Sequence, residues 1–170
     1  MVSYGLAYGM EAYGLAQRLS IPVPEATEIL DAYFEAFPNV KAYMERTVNE
    51  ARQRGYTETL MGRRRPIPEL SSSNFRIRQA GERQAMNAGI QGLAADIFKV
   101  ALVELERALD ERDAASRLIL QVHDDVILEV PPEEHDDMAA LVRTIMANAC
   151  ELRVPLEVNL SFGDSWATAK

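Results

Sequence analysis

The chain has 170 residues, 48% of them hydrophobic and 26% charged, with a net charge of −8. That length suits one domain or two small lobes around a real core, and that composition excludes a disordered chain. A single cysteine, Cys150, excludes an internal disulfide, no run reaches the roughly 18 apolar residues of a spanning helix, and no basic-then-apolar leader opens the sequence, so a cytoplasmic protein with no membrane partner is expected.

The opening Tyr4-Gly5-Leu6-Ala7-Tyr8-Gly9 leads a mostly apolar stretch through Met10 to Leu19 with helical character. Tyr4 and Tyr8, four residues apart, fall on one helix face, while Gly5, Gly9 and Gly14 imply close approach or a break. After a turn at Ile21-Pro22-Val23-Pro24, residues 25–37 carry Ala26, Ile29, Leu30, Tyr33, Phe34 and Phe37 at helical spacing. Pro38-Asn39 stops that helix, and residues 40–54 form another that ends at Gly55. Residues 56–70 read as a small hairpin with Arg63, Arg64 and Arg65 near its turn.

Charge is segregated along this part of the chain. Between Arg52 and Arg83 eight arginines meet three glutamates, a local net of +5 against −13 for the remainder. Such a strip is either a footprint for phosphate, to which the planar guanidinium is suited, or a solvated face with scattered ion pairs.

Residues 71–74 (Ser-Ser-Ser-Asn) form a loop and possible cap, and a long helix runs from about Phe75 towards Leu109, with an interruption expected near Gly89 or Gly92. Arg83, Asn87 and Gln91 stand four apart on it and share one slowly winding stripe. An ordinary solvated face would more often use Glu and Lys, so this stripe of donors favours a ligand.

Next come Leu118, Leu120 and Val122, then His123-Asp124-Asp125, then Val126, Leu128 and Val130. Both flanks alternate with the period of a half-buried strand, so three polar residues cap an apolar hairpin. An Asp-Asp turn is often only a turn, because Asp bonds its own backbone. Adjacent carboxylates nevertheless repel, and a hard divalent cation would relieve them. Pro131-Pro132 ends the hairpin, residues 133–150 form a helix and residues 154–162 a strand. The fold class is α+β: a helical part followed by a layer in which an antiparallel hairpin and a strand pack on helices.

These motifs together resemble the A-family DNA polymerases. The residues carrying the resemblance are Tyr4-Gly5 through Tyr8-Gly9, Gly62-Arg63-Arg64-Arg65, Arg83 with Asn87, Gln91, Gly92 and Asp96, Gln121 with His123 and Asp124, and Gly163-Asp164-Ser165-Trp166, in order along essentially the whole chain. The resemblance implies the end of the fingers subdomain over residues 1–68 and the C-terminal part of the palm over 69–170. It implies template-directed DNA synthesis, the transfer of a dNTP to a primer 3′-OH on two Mg²⁺ ions, in DNA replication and repair. Primer–template DNA and dNTP are then the partners, with the N-terminal remainder of the polymerase domain.

The roles follow residue by residue. Asp124 corresponds to a magnesium ligand of the palm and forms the catalytic group with Asp125 and His123, while His123 and Gln121 correspond to residues near the primer terminus. Arg83, Asn87 and Gln91 correspond to donors that meet the duplex in its minor groove, where the acceptor pattern is nearly sequence-independent. Arg63, Arg64 and Arg65 belong with the DNA-contacting residues. Tyr8 corresponds to the aromatic stacking beside the templating base. Tyr4 corresponds to the aromatic by the incoming sugar, where its hydroxyl implies weak discrimination against dideoxynucleotides.

Two departures from the family pattern stand out. Asp125 occupies a position where the family usually has Glu, one methylene longer. The Asp-Tyr-Ser strand bearing the second metal-binding aspartate is not among the 170 residues, nor is the Arg-x-x-x-Lys half of the fingers helix that grips the triphosphate. The isolated chain is therefore expected to lack polymerase activity, and a non-catalytic fragment that holds primer–template DNA is the alternative. A metal phosphohydrolase would need further His and Asp ligands, and the other histidine, His135, falls on a polar helix.

Overall fold

The computed structural model describes residues 5–6 and 8–169. The chain divides into two compact units, Met1–Leu93 and Ala94–Lys170.

In the first unit, helix α1 (Ala12–Leu19) packs on α2 (Val23–Ala36), and α3 (Pro38–Arg54) follows. Proline sits in the first turn of both α2 and α3, where its missing N–H goes unused, so Pro38 opens a helix as well as closing one. Gly55 ends α3 at φ 79°, donating its N–H to Ala51 O at 2.8 Å, while Arg52 and Arg54 lie in the last turn beside its negative pole. Strands β1 (Tyr56–Glu58) and β2 (Arg64–Pro66) then pair antiparallel. The Thr59 hydroxyl ties their turn, accepting the N–H groups of Met61 and Arg63. A short 3-10 turn, Pro68–Ser71, leads to the long helix α4 (Phe75–Glu111), whose start is capped by Asn74 Oδ1 accepting the Arg76 N–H at 2.9 Å. Two small cores result: Leu6, Leu15, Ala16 and Ala26 under α1 and α2, and Val48, Ala51, Ile67, Leu70 and Ala85 between α3, the hairpin and the start of α4.

In the second unit, β3 (Arg117–Val122) and β4 (Asp125–Glu129) form an antiparallel hairpin, followed by a 3-10 turn Pro132–Glu134 and helix α5 (His135–Ala147). Leu105 and Leu109 of α4 and Met138, Leu141 and Val142 of α5 make the core, and Leu118, Val126, Leu128 and Val130 pack onto it from one face of the hairpin. The class is α+β, as expected.

Two local expectations are corrected. Helix α4 is continuous through Gly89 and Gly92. Those glycines admit neighbours: a Cβ at Gly89 would meet the Tyr43 hydroxyl at 2.8 Å, and one at Gly92 would meet Thr59 Cγ2 at 2.6 Å. Residues 154–162 form no strand; a strand needs a ladder partner, and the described residues of this segment have none, although Leu160 still packs on the core. The break expected at the early glycines is present: Tyr8 and Gly9 form a turn before α1, with Gly9 at φ 78°, while the face shared by Tyr4 and Tyr8 lies partly outside the described residues.

Candidate active site and nucleic-acid interface

The β3–β4 hairpin differs in one way from simple alternation. Arg117 and Leu118 pair with Glu129 and Leu128, but the next pairs are Leu120 with Ile127, Gln121 with Val126, and Val122 with Asp125. Ile119 is thus one residue extra, a bulge. Directly opposed residues share a face, so Leu118 lies on the core side, while Leu120 and Val122 turn to the other face with Ile127 and Asp125. The expected single stripe of Leu118, Leu120 and Val122 is broken, and Ile119 and Leu120 are exposed.

The tip of the hairpin differs as well. The expected three-residue bend becomes a two-residue loop, His123-Asp124, and Asp125 enters the ladder. His123 takes φ 56°, a left-handed conformation that a side chain disfavours and that two-residue hairpin loops require at their first position. Its carbonyl accepts a hydrogen bond from Gln121 Nε2 at 3.3 Å. His123, Asp124 and Asp125 are all solvent-exposed. The structure therefore brings Gln121, His123, Asp124 and Asp125 together at one strand end.

The base of the same hairpin is held by a residue the sequence did not flag. Glu134 accepts the N–H of Ala115 at 2.9 Å, the N–H of Ser116 at 2.9 Å and the Ser116 hydroxyl at 2.5 Å. The Ser116 hydroxyl first, then the two N–H groups, hold this carboxyl below the ordinary carboxylate range. No local pattern marks Glu134, because its partners lie 18 and 19 residues upstream.

The donor set can be tested against a magnesium ion. Carboxylate oxygens at a rigid tip are the ligands such a hard cation takes. Among the described residues, however, no three His, Cys, Asp or Glu side chains gather into a metal-holding group. Asp124 thus fits as one member of a ligand set, not as the whole.

In the first unit, Arg83 and Gln91 are exposed on α4, and Asn87 lies between them with a buried Oδ1 that has no hydrogen-bond partner among the described residues. Glu11, which the sequence also left unmarked, reaches this stripe: it accepts from Gln79 Nε2 at 2.7 Å and pairs with Arg83 at 3.8 Å. Of the hairpin arginines, Arg64 bonds Glu58 at 2.6 Å and lies over the Tyr56 ring, and the Glu58 bond holds its guanidinium above the ordinary range. Arg65 donates to Gln84 Oε1 at 3.4 Å, and Arg63 follows Gly62 at the turn. Tyr8 is half-buried; Tyr4 lies outside the described residues.

The model of DNA polymerase family A matches residues 1–168. DNA polymerase I of Mycobacterium tuberculosis is 52% identical over 168 residues, and that of Bacillus caldotenax is 50% identical over 169. Each alignment covers 99% of this chain but 19% of the relative, so the chain spans about a fifth of the length of these curated relatives. Among solved structures, the polymerase domain of Pol1 from M. smegmatis, in complex with DNA primer-template and dNTP, superposes with a TM-score of 0.94 at 49% identity, covering 99% of this chain and 30% of that one.

Proposed function

The chain belongs to DNA polymerase family A, and from that premise we propose that it supplies the end of the fingers (residues 1–68) and the C-terminal palm (69–170) of a DNA-directed DNA polymerase. The observation that carries this reading is the His123-Asp124 loop, which holds a carboxylate at the tip of a hairpin backed by the core.

Asp124 contributes oxygen ligands to Mg²⁺, with Asp125 beside it in the ladder. When bound, magnesium stabilises the attacking and leaving oxygens of the in-line displacement. Gln121, bonded to the His123 carbonyl, steadies the loop near the primer end. Arg83, Asn87 and Gln91 donate to the minor groove of the primer–template duplex, which tests pair geometry without choosing a sequence. Arg63, Arg64 and Arg65 offer guanidinium forks to backbone phosphates. Tyr8 stacks by the templating base, and Tyr4 stands at the sugar of the dNTP.

The incomplete carboxylate set supports a further point: the isolated chain binds primer–template DNA without performing the transfer. The test uses two proteins. The 170-residue chain with Mg²⁺ is expected to give no primer extension. The Bacillus caldotenax enzyme carrying residues 1–168 in place of its matching segment is expected to extend primers, and Asp124→Asn in it to lower the rate at least about 100-fold, the scale of a lost charge-stabilising group. A folded chimaera whose extension is indifferent to Asp124→Asn overturns the assignment. Extension by the isolated chain overturns the claim of inactivity.

A further inference from the structure

We propose that Glu134 is a positioning residue for Asp124: its carboxylate locks the base of the β3–β4 hairpin and so fixes where the tip stands. The proposal rests on the reading of Asp124 as a metal ligand.

The hairpin needs such a lock. A two-stranded ribbon alone is marginally stable in water. This one has five ladder pairs, a bulge at Ile119 and a left-handed residue at His123. Only one face is packed, through Leu118, Val126, Leu128 and Val130, while Ile119 and Leu120 remain exposed on β3. Against these weaknesses stands one tie between the two chain ends. Ala115 and Ser116 immediately precede β3, Glu134 closes the 3-10 turn that follows β4, and three hydrogen bonds join them. Bonds to an ionised carboxylate are about twice as strong as neutral ones, and Ser116 is 3% exposed, which shields its end of the tie from water.

Leverage makes the tie matter at a distance. Six strand residues at about 3.3 Å each put the tip roughly 20 Å from the base. A swing of about 3° at the base then moves Asp124 by about 1 Å, whereas catalytic groups must be held within about 0.5 Å. A misplacement of about 1 Å can cost about 100-fold in rate.

Two measurements test this. In the metal-free 170-residue chain, amide hydrogen exchange is compared for the parent, Glu134→Gln and Ser116→Ala. Glu134→Gln is expected to speed exchange about tenfold or more at Ala115 and Ser116 and also at residues 122–125. Ser116→Ala, which keeps both N–H bonds, is expected to give a smaller rise at both ends, and it carries the test if Glu134→Gln unfolds the chain. Faster exchange confined to residues 115 and 116, with an unchanged tip, overturns the proposal.

In the chimaeric polymerase, Glu134→Gln is expected to raise the half-saturating Mg²⁺ concentration about tenfold while the burst amplitude, which counts active molecules, stays constant. A lowered amplitude with unchanged Mg²⁺ dependence marks a merely structural residue and also overturns it. An inactive parent chimaera would sink the functional reading instead, leaving the exchange result to decide whether base and tip are coupled.

Discussion

At the scale of single residues, the site is built from strained and committed groups. His123 holds φ 56° with a full side chain. Left-handed backbone costs about 1–2 kcal/mol for an L-residue, and glycine's added freedom when unfolded takes back about 0.5–1 kcal/mol. His123→Gly is therefore expected to stabilise the chain by roughly 0.5–1 kcal/mol, measured by denaturant melting; a loss of stability would show that the imidazole makes a stabilising contact. Glu134 makes its contribution depend on pH. Its folded-state pKa is depressed, so its contribution is present at neutral pH and lost as pH falls through the lowered value. Glu134→Gln is expected to flatten the acid limb of the stability curve, checked by melting from about pH 7 down to about pH 3. Asp124 was legible in the sequence because carboxylates are conspicuous between apolar strands. Glu134 was not, because nothing local announces a bond to a backbone 18 residues away.

At the scale of elements, periodicity located the helices and both hairpins, since each buries a face that repeats at 3.6 or 2 residues. It failed where packing decides. Gly89 and Gly92 in α4 read as breaks, yet they are contact points, and Gly81 is another: a Cβ there would stand 2.9 Å from Glu69 Cβ and 3.1 Å from Leu70 N. Gly81→Ala gains about 1 kcal/mol in helix propensity but overpacks that contact by about 1–3 kcal/mol. It is expected to lower stability by about 1 kcal/mol, and a raised melting temperature would contradict the contact. Residues 154–162 show the converse failure. Alternation specifies which face a strand would bury, but a ladder needs a second backbone, which sequence pattern does not supply.

At the scale of the whole molecule, the acidic total hides the basic strip. Several of its arginines already hold carboxylates: Arg52 with Glu82, Arg54 with Glu50, Arg64 with Glu58, and Arg83 with Glu11. Exposed pairs are worth only about 0–1 kcal/mol, so phosphate can displace them. Glu11→Gln, which leaves Arg83 without that competitor, is expected to tighten binding of a primer–template duplex up to about fivefold, read in salt titrations of the isolated chain. Unchanged affinity would remove Arg83 from the interface. The sequence made the strip visible but not its pairing, because Glu11 and Arg83 meet only through the fold.

The extra residue at Ile119 sets how tightly the hairpin turns. Continued from Leu118 and Leu128 without a bulge, the ladder would pair Gln121 with Asp125 and leave a slack bend of Val122, His123 and Asp124. Absorbing one position on β3 brings Val122 opposite Asp125 instead and shortens the bend to His123 and Asp124. Asp124 thus sits on a shorter tether because of a miscount in the distant part of the strand, without any contact to it. Removing Ile119 alone would straighten the ribbon and keep the two-residue loop; ironing out the bulge while retaining Ile119 would lengthen it to three.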